Sequence, residues 1–203
     1  MMLIGIIVLT ALVSAQGFRD NVLLNKLSFN PHKINYHREY YRVFSHGLVH
    51  ADWMHLGVNM FVLYMFANSL ENQLSNNAHL LNGTFLFTLL YVTALPVSSA
   101  VSYKKHKDNP YYTAIGASGA VSAVVFANIF YDPWNLLYFF GIIPIPGIIF
   151  GAGYLYYSYY MSRKNIDNVG HDAHFWGAVY GFIFPVLIHP GSIFDFISKL
   201  NPF

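Results

Sequence analysis

Marking every Asp, Glu, Lys and Arg along the chain leaves six long stretches without formal charge: residues 1–18, 53–70, 72–103, 109–131, 133–162 and 173–194. Each is long enough, as a helix, to cross a hydrocarbon core of roughly 30 Å. None shows the every-second-residue alternation of a membrane barrel strand. The pattern predicts an all-α polytopic membrane protein of one domain, residues 1–203, with spans near 2–18, 54–70, 81–102, 117–131, 142–161 and 171–189.

The polar segments between the spans are unequal. Residues 19–52 are mostly polar but carry Tyr36, Tyr40, Tyr41 and Phe44, too much apolar surface for a free linker, so a folded loop is expected at the membrane face. Asn72 to Asn77 reads as a polar turn, Lys104 to Pro110 as a basic turn, and Asp132-Pro133-Trp134-Asn135 as a break. Pro144 and Pro146 are expected to set the start of the fifth span, because proline is tolerated in a first helical turn. Arg163 to Gly170 is the last turn. Met1 to Ala15 lacks the positive n-region of a signal peptide, so residues 1–18 read as a retained helix, with cleavage after Ala15 as the alternative.

Composition sharpens the class. The chain is 55% hydrophobic and 10% charged, against about 25% charged in ordinary soluble domains. Disorder needs the opposite balance. A net charge of +2 gives no ground for a nucleic-acid partner, and the absence of cysteine removes disulfide and thiolate chemistry.

Polar groups inside apolar spans are costly and usually face a cavity or a partner. His55 and Asn59 lie four apart on one face of span two. Gly116-Ala117-Ser118-Gly119-Ala120 opens span four, and His174 stands near the start of span six, followed by Gly177 and Gly181. Taken singly, each has a plainer reading: interhelical hydrogen bonding, a satisfied core histidine, or glycine packing. Their joint placement carries more. In an alternating chain spans two, four and six begin on the same side, so His55, Ser118 and His174 share a depth. Small residues at Gly119, Ala123 and Ala127 on span four and at Gly177 and Gly181 on span six let two backbones approach, which brings His174 within reach of the Ser118 hydroxyl. A serine hydroxyl needs a base to become nucleophilic, and imidazole has the pKa for it. Asp172 precedes His174 by two residues, roughly 200° round the helix, so it points elsewhere and a Ser–His dyad is expected. The Ser118 N–H, the His55 ring and the Asn59 amide are candidate oxyanion donors.

These residues carry a resemblance. Tyr41-Arg42, then His50-Ala51-Asp52-Trp53-Met54-His55-Leu56-Gly57-Val58-Asn59-Met60, then Gly116-Ala117-Ser118-Gly119, then Ala173-His174-Phe175-Trp176-Gly177 with Gly181 resemble, in order and position, the rhomboid intramembrane serine proteases, here in a bacterial, minimal six-helix core form. The resemblance implies a bundle of six transmembrane helices around a water-filled cavity and no cofactor. It makes Ser118 the nucleophile and His174 the general base, with His55, Asn59 and Ser118 at the oxyanion hole. Arg42, Gly116, Gly119, Gly177 and Gly181 become structural residues near the site, and Glu71 the glutamate that ends span two. The implied partners are the lipid bilayer and the transmembrane helix of a substrate protein. Tyr157 and Tyr160, at the tyrosine-rich end of span five, are candidate gate residues, against the plainer reading of an interfacial aromatic belt. Two positions depart from the pattern. Tyr41 stands where many members have tryptophan. Ser122 stands where some members place an aromatic ring against the catalytic histidine, so support for His174 is expected from elsewhere.

Two other classes stay open: an inactive rhomboid-like protein that binds membrane clients, and a metal-binding membrane protein using His46, His50, His55, His171 and His174. An α/β-hydrolase is excluded, because Ala120 fills the last position of its GxSxG elbow. Orientation draws two arguments into conflict. Arg19, Lys26, Lys33, Arg38, Arg42, Lys104, Lys105, Lys107, Arg163 and Lys164 lie on the side of loop 19–52, and Lys199 on the other. The positive-inside rule taken alone places that side in the cytoplasm. The bacterial family implies the reverse, an inner-membrane protein with its active site facing outward, and that is the expectation adopted.

Overall fold

The structure, a computed structural model, describes residues 2–77, 81–139, 142–164, 167 and 169–201. Helix α1 spans Met2–Gly17. The following loop folds into three short helices, α2 (Asn21–Leu27), α3 (Pro31–His37) and α4 (Arg42–Ser45), and a single 3-10 turn at His46–Leu48. Side chains start two of them: Asp20 accepts from Val22 and Leu23 N–H, and Asn30 accepts from Lys33 N–H ahead of Pro31. Arg38 closes α3 in the left-handed region at φ 58°. The loop is tied to the segment before α7 by paired backbone hydrogen bonds between Phe29 and Ala114 and by Tyr36 Oη donating to Asp108 at 2.7 Å.

Five longer helices follow: α5 (Trp53–Asn77), α6 (Gly83–His106), α7 (Ser118–Tyr131), α8 (Gly147–Lys164) and α9 (His171–Ile188), then the short α10 (Ser192–Leu200). Every residue of α7 from Gly119 to Tyr131 is buried, so this helix is the axis around which α5, α6 and α9 close. Its apolar face joins a core of Leu63, Leu70, Leu86, Phe87, Leu90, Val124 and Phe130.

Several sequence expectations are corrected. Asn72 to Asn77 is not a turn: α5 continues through it, and Glu71 sits mid-helix, accepting from Thr84 Oγ1 at 3.2 Å where α6 begins. The fold is not wholly α-helical. Leu136–Phe139 (β1) and Ile143–Pro146 (β2) form an antiparallel hairpin that pairs Leu136 with Pro146 and Tyr138 with Pro144. Pro144 and Pro146 therefore lie in a strand, and α8 starts at Gly147 rather than at 142. A two-stranded hairpin has no further neighbour, so a proline without an N–H leaves no ladder bond broken on its outer side. Among the described residues α6 alone is both long and apolar enough to cross a membrane unaided; α1 and α7 are apolar but have 16 and 14 residues. Fourteen residues rise only about 21 Å, because residues 109–117 of that uncharged stretch are spent on the loop before α7. The domain is mostly helical.

Candidate active site

The site grows from the loop that precedes α7. Gly116 has φ 111°, a conformation that favours glycine, and a Cβ there would come within 2.6 Å of the His55 ring. Its N–H donates to His46 O at 2.9 Å. The next N–H, of Ala117, donates to His50 Nε2 at 3.3 Å. Ser14 of α1 gives its hydroxyl proton to Leu48 O and lies 3.0 Å from His50 Nδ1, so His50 carries its proton on Nδ1 and keeps Nε2 free to accept. These bonds fix the backbone that delivers Ser118 as the first residue of α7.

Helix α9 supplies the second group. A Cβ on Gly177 would overlap the Gly119 carbonyl, and one on Gly181 would overlap the backbone of Ala123. The two helices meet backbone to backbone, and on this contact His174 Nε2 stands 2.7 Å from Ser118 Oγ. Among the described residues no carboxylate joins them. Asp172 accepts from Lys105 at 2.7 Å, and Asp167 lies 3.1 Å from His171 Nε2. That hydrogen bond holds the Asp167 carboxyl below its ordinary pKa. The flanks of His174 are aromatic instead. The Tyr154 ring lies 6.3 Å away at 25°, and the His171 ring 6.0 Å away at 79°.

Ser118 and His174 line a cavity of about 1200 Å3 together with residues that include His55, Asn59, Ser98 and Tyr154. Ala51 N–H approaches His55 Nδ1 at 3.4 Å, which leaves the imidazole proton on Nε2, beside Gly116. Asn59 is buried and spends one amide N–H on His55 O at 2.8 Å, keeping the other. His55 and Asn59 thus share one face of α5 and both line the cavity that holds Ser118.

Arg42 is buried in the loop rather than in the cavity. Its guanidinium donates to Asn25 O, Ser28 O and the Glu39 carboxylate at 2.7, 2.8 and 2.6 Å, binding α4 to the end of α2. Burial pushes the Glu39 carboxyl up, but the bonds from Arg42 and Tyr41 outweigh it and hold it below its ordinary value. The two candidate gate tyrosines part company. Tyr157 lines the cavity with its ring 5.6 Å from His171, whereas Tyr160 stacks on Tyr156 and under the Lys164 ammonium. Among the described residues no three His, Asp or Glu side chains are grouped to hold a metal ion. His46 lies beside Ser99, His50 beside Ser14 and His171 beside Asp167.

The sequence marks Ser122 as a departure and leaves open which residue supports His174; it does not single out Tyr154, which meets the Ser122 hydroxyl, or the Ser14–His50–Ala117 chain. Tyr154 is one of five tyrosines between 154 and 160 with nothing local to distinguish it. Ser14 looks like any small residue of an apolar helix.

The Rhomboid domain family model matches residues 37–191. RHOMBOID-like protein 12, mitochondrial, of Arabidopsis thaliana is 24% identical over 187 residues, covering 88% of this chain and 54% of the relative. The chain thus spans about half the length of that curated relative. With the family match running from the loop through α9, across every residue of the candidate site but Ser14, this chain belongs to the rhomboid family.

Proposed function

We propose that this chain is an intramembrane serine endopeptidase that cuts transmembrane segments of other membrane proteins, using Ser118 as nucleophile and His174 as general base. The 2.7 Å contact between His174 Nε2 and Ser118 Oγ, at the wall of a large cavity, carries the reading. His174 takes the hydroxyl proton as Oγ attacks the scissile carbonyl carbon. The oxyanion is met by the Ser118 N–H at the α7 N-terminus, the His55 Nε2–H and the remaining Asn59 N–H, donors fixed before the charge develops. His174 then protonates the leaving amine, and the same imidazole activates water against the acyl ester. Two groups suffice for this exchange without a carboxylate, because aromatic packing, rather than an anion, sets the imidazole in place.

The bundle of α1, α5, α6, α7, α8 and α9 is read as six membrane crossings, with the active-site face outward in a bacterial inner membrane. The charges that argue otherwise are engaged locally where they are buried: Arg42 serves its own loop. A fluorophosphonate probe tests the chemistry. Purified wild-type protein in detergent is expected to become labelled and Ser118→Ala to stay unlabelled; labelling of Ser118→Ala overturns the assignment. An inactive client-binding rhomboid has no use for a serine already hydrogen-bonded to a histidine, and an unlabelled wild type would favour that reading.

A further inference from the structure

Among the described residues His174 has no carboxylate to orient it. Both nearby acids are committed, Asp172 to Lys105 and Asp167 to His171. Its imidazole is instead flanked by the Tyr154 ring, near parallel at 25° and 6.3 Å, within the range of offset stacking. Tyr154 comes from α8, not from α7 or α9. Three contacts fix it. Its hydroxyl meets Ser122 Oγ at 2.6 Å, and its ring packs against Phe126 at 5.6 Å and Phe150 at 5.9 Å. Ser122 is one helical turn below Ser118, on the same face of α7. A serine there is short enough to admit a ring from the neighbouring helix and polar enough to hold its hydroxyl.

We infer that Tyr154 is the positioning residue for His174, latched by Ser122, so that the catalytic base is in register with Ser118 only while α8 is seated against α7. This rests on the reading of Ser118 and His174 as a dyad. Helix α8 reaches α7 through small residues: a Cβ on Gly151 would lie 3.4 Å from the Phe126 ring, and one on Gly147 3.3 Å from Ile129. Drawing α8 away removes the ring from His174 and the hydroxyl from Ser122 in one movement. A substrate that gains access by displacing α8 must therefore let the helix return before its peptide bond is cut.

The test uses the full chain in detergent, with fluorophosphonate labelling rate and cleavage of a transmembrane reporter substrate as readouts. Tyr154→Phe keeps the ring and loses the latch. Tyr154→Leu keeps apolar bulk and loses the stacking. Labelling rate and kcat are expected to fall modestly in Tyr154→Phe and by about ten- to a hundredfold in Tyr154→Leu, less than the 10²–10⁴ that a general base supplies, with KM little changed. Adding Ser122→Tyr to Tyr154→Ala places a ring on the same face from α7 and is expected to restore part of the rate, which repair of packing alone would not do for the single Tyr154→Ala variant. Equal rates in wild type and Tyr154→Leu overturn this inference and leave the dyad standing. An unlabelled wild type overturns the dyad, and this inference with it.

Discussion

Gly181 lies so close to Ala123 that a Cβ on the glycine would sit inside the alanine backbone. The separation of α9 from α7, and with it the reach of His174 to Ser118, is thus set by main chain rather than by side chains. Gly181→Leu is expected to part the helices. Overpacking typically costs about 1–3 kcal/mol, and a collision with backbone, which cannot rotate aside, belongs at the upper end. Thermal unfolding in detergent is expected to shift downward and fluorophosphonate labelling to fall sharply. A fully active variant of unchanged heat resistance would show that the contact does not hold the dyad together.

Ser118→Ala and His174→Ala are each expected to abolish cleavage of a transmembrane reporter substrate while the protein still inserts. The double variant is expected to be no worse than either single one, as for groups that act as a unit. Additive losses in single-turnover assays would mean that the two side chains act in separate steps.

Asn59→Ala removes one of the several oxyanion donors proposed above and also the bond to His55 O. Loss of one such donor elsewhere costs about 10²–10³ in kcat. The remaining Ser118 N–H and His55 ring make a smaller loss the expectation here, with probe labelling retained. A normal kcat would reduce Asn59 to a helix-packing residue.

At the tyrosine-rich end of α8 the two positions are expected to differ. Tyr157 borders the cavity beside His171, so Tyr157→Ala is expected to widen access and raise the cleavage rate. Tyr160 stacks outward on Tyr156, so Tyr160→Ala is expected to leave it unchanged. Equal responses in steady-state cleavage would return both residues to an interfacial belt.

Arg42 and Glu39 give a pH test. The Arg42 side chain is 3% exposed and the Glu39 side chain 31%. Arg42→Ala removes the bonds to Glu39 and to the buried Ser28 O, whereas Asn25 O keeps the Ser28 hydroxyl, and leaving one buried acceptor unpaired costs about 1–3 kcal/mol. Because the folded Glu39 pKa lies below its ordinary 4.5, its stabilisation is complete above that value and is lost as pH falls through the lower, folded one. Melting temperatures taken from about pH 7 to about pH 3 are expected to drop in the wild type, and that part of the drop to be missing in Glu39→Gln. Parallel curves would show that the pair contributes nothing.

The grouping of the candidate residues was legible in sequence because polar groups are expensive in apolar spans. Ser118, His174, His55 and Asn59 stand out as polar groups in apolar surroundings, and the glycines beside them have no local turn to explain them. What stayed hidden depends on tertiary contact. The uncharged run 133–162 reads as one membrane segment, since apolar composition does not separate a hairpin from a helix when both avoid charge; the alternation Ile143-Pro144-Ile145-Pro146 was the only local sign of extended chain. Glu71 suggested a helix end by its charge, yet α5 continues because Thr84 and the start of α6 receive the carboxylate. Tyr154 was invisible for a different reason: its partners, Ser122 and His174, lie on two other helices.

The hairpin has a mechanical consequence. Two backbone hydrogen bonds, Gly147 N–H to Asn135 O at 2.9 Å and Ile148 N–H to Pro133 O at 2.7 Å, fasten the first turn of α8 to the chain leaving α7. A helix held at one end moves as a lever, with displacement proportional to distance from its fulcrum. Tyr154 is about 10 Å along the shaft and Lys164 about 25 Å, so a tilt of about 10° carries the far end about 4 Å and Tyr154 only about 2 Å. The tyrosine-rich tip swings furthest while the ring beside His174 travels about half as far, and the same rigid rod gives a wide stroke at the rim and a shorter, easily reversed one nearer its base.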